Sequence, residues 1–274
     1  MKKIAVVGLG IIGGSICAAL TKAGYEVDGF GRSSASVEYA LKAEYIRNKG
    51  KCLADYDVVF LAVPPNATMD YLDNGSYKDG ALVTDICGIK KSLEELVYAK
   101  PRNYRYVGLH PMAGKETSGI SSASSELFKG ANVIITQAAQ TKAEDVAEIK
   151  EYLFAMRFGK IVECSAETHD KKIALTSQLA HIVSNAYVKS NEVKGCDGFT
   201  GGSFQDMTRI AGVDEKMWTQ LYMGNRERIL AELNGLIEHL SVYRNALETN
   251  NAEALSEALK EGRLIRETIK RGND

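Results

Sequence analysis

A chain of 274 residues can bury a substantial core and divides more naturally into two domains than one. Hydrophobic residues at 45% and charged residues at 25% are ordinary for a soluble globular protein, and a formal net charge of −1 offers no field for nucleic acid or an anionic membrane. Cys17, Cys52, Cys87, Cys164 and Cys196 are scattered with no C-x-x-C pair, which predicts reduced thiols in a cytoplasmic protein, no disulfide framework and no metal site.

The apolar run over residues 4–20 is broken by glycines and reads as strand, turn and helix, so no cleaved signal is expected. No other run approaches the roughly 18 apolar residues of a membrane span. Residues 3–7 form a buried-strand pattern, 11–23 a helix and 25–30 the next strand. Residues 57–63 are apolar on both faces, as in a parallel strand covered by helices. Residues 81–84, 105–109 and 132–136 repeat that pattern, with a helix over 142–157. The alternation predicts an α/β protein whose N-terminal part, residues 1–163, is a Rossmann-type doubly wound sheet that binds a dinucleotide.

After Val162 the texture changes. Residues 167–193 form one long helical candidate, with Ile173, Leu175, Leu179, Ile182, Val183, Ala186 and Tyr187 at helical spacing. A glycine-rich break spans 195–202, and helices are expected over 217–248 and 252–270. Residues 164–274 are therefore expected to be an all-helical C-terminal domain, suited to substrate binding and to pairing in a homodimer.

Gly8-Leu9-Gly10-Ile11-Ile12-Gly13 follows the first strand and opens the first helix, the context in which G-x-G-x-x-G holds a pyrophosphate. Gly8 permits the turn, Gly10 lets backbone approach the phosphates, and Gly13 allows close helix–sheet packing. Ile11 and Ile12 present the free N–H groups of the helix start. Where NAD-specific folds carry an acidic residue, this chain has Gly31-Arg32-Ser33-Ser34, and Asp28 comes too early to reach the ribose. An arginine and two hydroxyls suit a 2′-phosphate, so NADP is expected over NAD. Val63-Pro64-Pro65 ends another strand and would stiffen the loop beside the nicotinamide.

Two more strand ends point toward the same edge of the sheet: Thr84-Asp85-Ile86-Cys87-Gly88, and His110 in Gly108-Leu109-His110-Pro111-Met112-Ala113-Gly114-Lys115-Glu116. A histidine so placed is a natural proton handler near neutrality. On the long helix Ser177 and His181 are four apart and share a face, in Thr176-Ser177-Gln178-Leu179-Ala180-His181. Arg209, after the Gly201-Gly202 turn, suits bidentate capture of a carboxylate.

Together these motifs resemble the prephenate and arogenate dehydrogenase family of tyrosine biosynthesis: GLGIIGG, the VPP loop, TD-x-x-x-x-K over 84–90, HPMAG-x-E, TSQLAH, and GGSF-x-D-x-T-R-I-A ending before Trp218. The resemblance implies oxidative decarboxylation of a cyclohexadienyl substrate, prephenate or arogenate, with hydride passing to NADP or NAD. It implies that His110 takes the proton of the 4-hydroxyl, that Arg209 grips a carboxylate, and that His181 positions the side-chain end. Glu116 would shape the pocket mouth, with Ser177, Gln178 and Gly202 among the substrate-binding residues. His169 and His239 read as structural, although His169-Asp170 lies where the family tends to carry that pair.

Three departures from the family pattern stand out. Gly88 occupies the place of a serine that usually shares the 4-hydroxyl hydrogen bond, Lys115 stands where a small hydroxyl residue is expected, and Gln178 replaces a histidine found in many relatives. No fused regulatory domain is expected, so feedback by tyrosine would act at the active site. Prephenate dehydrogenase is the leading reading, and arogenate dehydrogenase stays open. A β-hydroxyacid dehydrogenase would use a helix lysine such as Lys171 or Lys172, but it leaves HPMAG and the Arg209 segment without a role. A non-catalytic NADP-binding sensor also stays open because of Gly88.

Overall fold

The structure is a computed structural model and describes residues 2–114 and 117–269. In chain order β1 (Ile4–Val7) leads into α1 (Ile11–Lys22), β2 (Val27–Phe30) into α2 (Ser34–Lys42), and a short β3 (Asn48–Lys49) precedes β4 (Val58–Leu61). Then come α3 (Pro65–Asn74), β5 (Leu82–Asp85), α4 (Lys91–Tyr98), β6 (Arg105–Met112), β7 (Asn132–Thr136), α5 (Ala143–Ala155) and β8 (Lys160–Cys164). Among the described residues these strands form one sheet in the order β3-β2-β1-β4-β5-β6-β7-β8, parallel except where β6 meets β7.

Strand alternation sends side chains to two separate cores. Ile4, Val6, Val58, Phe60, Leu82, Val107 and Leu109 pack with residues of α1, α2 and α5 on one face. Ala5, Val7, Val59, Leu61, Val83, Tyr104 and Tyr106 pack with residues of α3 and α4 on the other. Each fully buried large side chain contributes about 1.5–3 kcal/mol from removal of apolar surface. This is the expected doubly wound sheet. The two-residue β3 and the β8 edge strand gave no strand signal of their own, because Asn48, Lys49, Lys160 and Glu163 are exposed and polar.

Beyond β8, Ser165 caps the next helix by accepting from the Thr168 backbone N–H at 3.2 Å. The expected single helix over 167–193 is instead α6 (Ala166–Ile173), a π-helical stretch over Ala174–Leu179, and α7 (Ala180–Tyr187). Then come α8 (Gly202–Thr208), α9 (Glu215–Gly224), α10 (Arg226–Glu248) and α11 (Ala252–Thr268). The expected helix over 217–248 is broken at Asn225, whose side-chain amide serves Asp170 and Gln178. By packing the chain forms two compact units, Met1–Asn225 and Arg226–Asp274. That division lies beyond the residue-163 boundary expected from sequence texture, because hydrogen bonds tie α6 and the π stretch to residues 90, 110 and 225. The second unit is the antiparallel hairpin of α10 and α11, with Asn251 capping α11 through the Ala254 N–H at 2.9 Å. No helix among the described residues is long and apolar enough to cross a membrane.

Candidate active site

The turn between β1 and α1 is shaped by what its glycines leave out. Gly8 has φ +97°, and a Cβ there would lie 2.2 Å from the Ala62 carbonyl oxygen. A Cβ on Gly13 would lie 1.8 Å from the Gly8 carbonyl oxygen, so α1 can seat against the turn only with glycine there. A Cβ on Gly10, by contrast, meets nothing within 4 Å. Gly10 borders open space at the start of α1, whose first turn carries no acidic residue and no side-chain cap. Half-buried Ile11 and Ile12 begin the helix there, so their N–H groups suit a pyrophosphate.

Gly31, Arg32, Ser33 and Ser34 lie at the end of β2, with Ser33 as the N-cap of α2. Asp28 is engaged: its carboxylate accepts from Asn48 N at 3.1 Å and from the Tyr56 hydroxyl at 2.8 Å. Val63 and Pro64 follow β4, and Pro65 starts α3 at the one helical position where a missing N–H costs nothing.

The ends of β5 and β6 carry a buried polar cluster. Asp85, wholly buried, accepts from the Cys87 backbone N–H at 2.7 Å and the Tyr106 hydroxyl at 2.6 Å, and pairs with the wholly buried Lys90 ammonium. The T-D-x-x-x-x-K spacing is the span of the loop that brings Lys90 back onto Asp85. Gly108 makes the crossing possible: a Cβ there would lie 2.4 Å from Thr136 Oγ1 and 3.2 Å from Lys90 Cδ. Burial pushes the Cys87 thiol up to about 12, so it is no nucleophile at neutral pH.

His110 is a strand residue and not a loop residue. The pairing of β5 with β6 ends at Asp85 and Gly108, while β6 continues to Met112 against β7. His110 therefore stands on a rigid projection, partly buried, two residues past Gly108 and on the same face. A Cβ built on Gly88 would be 3.7 Å from His110 Nε2 and 3.4 Å from Leu221 Cδ2, which places Gly88 and α9 beside the imidazole. His110 Nδ1 lies 2.9 Å from His169 Nε2, and His169 Nδ1 lies 2.7 Å from Asp170 Oδ1. The Asp170 oxygens accept from the Lys90 and Lys91 backbone N–H groups, each at 2.9 Å. Burial, then His169 and Lys90, hold the His110 pKa well below the usual histidine range. Burial likewise lowers that of His169, against the opposing pull of Asp170. Both rings are thus neutral at pH 7.

The helical side presents a second set of expected residues. In the π stretch, a form common at functional sites, the Ser177 carbonyl accepts from His181 Nδ1 at 2.9 Å. The His181 ring lies against Trp218 of α9, with centroids 4.0 Å apart. Ser177 is partly buried beside them in sequence. Gln178, expected among the substrate-binding residues, is 2% exposed and engaged within the protein: its Oε1 accepts from Asn225 at 2.7 Å, and its amide nitrogen donates to the Leu221 carbonyl at 3.3 Å. It is a strut that holds α9 in place. Gly202 opens α8 and Arg209 ends it with an exposed side chain. This segment is tied to α7 by Ser184 Oγ donating to the Met207 carbonyl at 2.7 Å and Asn185 to that of Ala211 at 3.1 Å. Lys115 and Glu116 lie outside the described residues.

A dinucleotide cradle, a neutral strand histidine and a helical wall thus stand on one chain. The family model described as the prephenate dehydrogenase nucleotide-binding domain matches residues 16–162, and the model described as its dimerization domain matches residues 165–261. The chain belongs to the prephenate dehydrogenase family. It is 30% identical over 98% of its length to prephenate dehydrogenase of Lactococcus lactis subsp. cremoris, covering 78% of that protein. It is also 30% identical over its full length to cyclohexadienyl dehydrogenase of Zymomonas mobilis subsp. mobilis, covering 98% of it. Among solved structures it is similar to prephenate dehydrogenase from A. aeolicus in complex with hydroxyphenyl propionate and NAD+, with TM-score 0.84, 27% identity, and 98% and 99% of the two chains covered.

In this family member the motifs contain Lys90 and Gly108 and the sequence shows the His169-Asp170 pair, but none of them carried a role in the sequence, and Tyr106 drew no attention. His169 read as structural because it stands alone among helix-forming residues. The sequence signal was the adjacent His169-Asp170 within a helix; the complete burial of Lys90, rare for a lysine, shows only in the fold.

Proposed function

We propose that this chain is an NADP-dependent prephenate dehydrogenase. It would oxidise prephenate to 4-hydroxyphenylpyruvate with loss of carbon dioxide. The observation that carries the reading is the neutral His110 on the β6 projection, with the imidazole edge that bears Nε2 turned toward the Gly88 loop.

A bound nicotinamide supplies the hydride acceptor. Gly8, Gly10, Ile11, Ile12 and Gly13 would hold its pyrophosphate, and Val63, Pro64 and Pro65 would border the ring. NADP is favoured over NAD because Gly31, Arg32, Ser33 and Ser34 offer a cation and hydroxyls, while Asp28 is held by Asn48 and Tyr56. His110 would accept the 4-hydroxyl proton as the carbon–hydrogen bond breaks, which requires the neutral ring that its surroundings enforce. Arg209 would hold a substrate carboxylate, with His181, Ser177 and Gly202 at the side-chain end and Glu116 shaping the pocket mouth. Aromatisation drives the reaction, so alignment is the main task left to the protein. A homodimer through the helical part is also proposed. The α10–α11 hairpin exposes Leu230, Ile237, Leu240, Leu247, Leu259 and Ile265, more apolar surface than a lone hairpin keeps in water.

Steady-state formation of reduced cofactor, with prephenate and arogenate each paired with NADP and NAD, tests the assignment. Turnover is expected to be best with prephenate and NADP, and His110→Asn should abolish most of it with KM nearly unchanged. Preference for arogenate or NAD would overturn that part of the assignment. Tight NADP binding without turnover on either substrate would identify a sensor.

A further inference from the structure

His110 can serve as a base at Nε2 only if its proton sits on Nδ1, and a chain of hydrogen bonds decides this. Both Asp170 oxygens accept from backbone N–H donors at the start of α4, so the carboxylate faces its neighbours as an acceptor. The His169 nitrogen 2.7 Å from Asp170, Nδ1, must therefore carry the proton. His169 is 1% exposed and neutral, with Lys90 nearby opposing a second positive charge, so its Nε2 holds a lone pair. The group 2.9 Å away, His110 Nδ1, must then donate. A neutral His110 that carries its proton on Nδ1 has its lone pair on Nε2, the atom beside Gly88.

We infer that His169 and Asp170 are positioning residues for the proposed reaction. They fix the tautomer and ring orientation of His110 and stabilise the imidazolium formed when Nε2 takes the proton. They thus supply the ordering that the glycine at position 88 cannot. The inference rests on His110 being the base. During the step one proton moves from the substrate hydroxyl to His110 Nε2, and the Nδ1–H stays in place as its bond to His169 becomes charge-assisted. Nothing is transferred to His169. Asp170 holds His169 from behind and is itself locked by two amides and by burial, while Asn225 grips the Asp170 carbonyl at 2.8 Å. The relay is therefore rigid before substrate arrives.

Nitrogen-15 NMR of the full chain labelled at histidine reads the tautomer directly. The expected spectrum has His110 protonated at Nδ1 and bare at Nε2; a proton on Nε2 at pH 7 overturns the inference without any variant. In kinetics, His169→Leu is expected to lose roughly 10²-fold in kcat. KM for prephenate and NADP should stay within about twofold. His169→Gln, whose amide oxygen can accept from His110 Nδ1, should recover most of the rate, whereas a merely structural role would not separate the two variants. A folded His169→Leu protein with unchanged kcat overturns the inference. His110→Asn distinguishes the two levels: if it is active, the base assignment itself falls, and if it is inactive beside a fully active His169→Leu, only the relay falls.

Discussion

Lys90→Met removes the positive member of a wholly buried ion pair while keeping most of the side-chain volume. Asp85 would remain buried as an uncompensated carboxylate, a situation that costs about 3–5 kcal/mol. The low end, about 3 kcal/mol, is expected because the Tyr106 hydroxyl and the Cys87 N–H still reach Asp85 at 2.6 and 2.7 Å. At roughly 2–4 °C per kcal/mol for a chain of this size, the melting temperature should fall by about 6–12 °C. Asp85→Asn/Lys90→Met removes both charges and should recover about 2 kcal/mol relative to additive single changes. The same ammonium helps depress both histidines, so its loss should also move the acid limb of kcat/KM upward in pH. Thermal unfolding of the four proteins of the cycle, followed by circular dichroism, gives the coupling energy. A single variant that loses less than about 1 kcal/mol, or a cycle with no coupling, would refute the view that Asp85 and Lys90 form a desolvated pair.

Gly88→Ser should fold normally, within about 0.5 kcal/mol of the parent, since its Cβ meets Leu221 at 3.4 Å and the His110 ring at 3.7 Å. If its hydroxyl joins the 4-hydroxyl hydrogen bond, kcat should rise; a fall would mean that the space is needed empty. Arg32→Ala should raise KM for NADP about tenfold, the loss of one charge-assisted bond, and leave KM for NAD unchanged; equal effects on both would remove Arg32 from the 2′-phosphate site. Arg209→Ala should raise KM for prephenate at least about tenfold with a smaller effect on kcat, and an unmoved KM would end the clamp assignment. Both depressed histidines bind no proton in the folded state at pH values where the unfolded chain does, so stability should decline as pH falls below about 6.5. Denaturation midpoints across pH 5–8 in parent and His169→Leu would detect that slope, and equal slopes in the two would exclude His169 as a source.

The sheet was legible because parallel strands buried on both faces must be apolar throughout, and residues 4–7 and 58–61 are. The G-x-G-x-x-G turn was legible because its three glycines answer three separate steric demands, only one of them a ligand's. Length failed where sequence periodicity stays silent about hydrogen bonding. The helical pattern over 167–193 continues smoothly through the π stretch, since one widened turn barely disturbs which residues face inward. Likewise the expected strand stopped at Leu109, short of Pro111, which has no N–H to give a ladder. The strand continues as the partner of β7 alone, where Pro111 faces Val133.

The site divides along the same line. His110 was recognisable from its place at a strand end, a local property. What gives its Nε2 the lone pair comes from His169, Asp170 and the backbone of Lys90 and Lys91, on other elements of the chain, and no local pattern encodes a tautomer. Each link has an ordinary local identity: a helix histidine, a helix aspartate, two backbone amides at a helix start. Only the three-dimensional juxtaposition turns them into a directed series of donors and acceptors. Gly108 makes the point most sharply. In the sequence it is a weak residue inside a strand, where glycine costs stability. In the fold it leaves room for the Lys90 side chain that pairs with Asp85, so a residue unfavourable for the strand serves a charge arrangement that adds to burial in keeping His110 neutral.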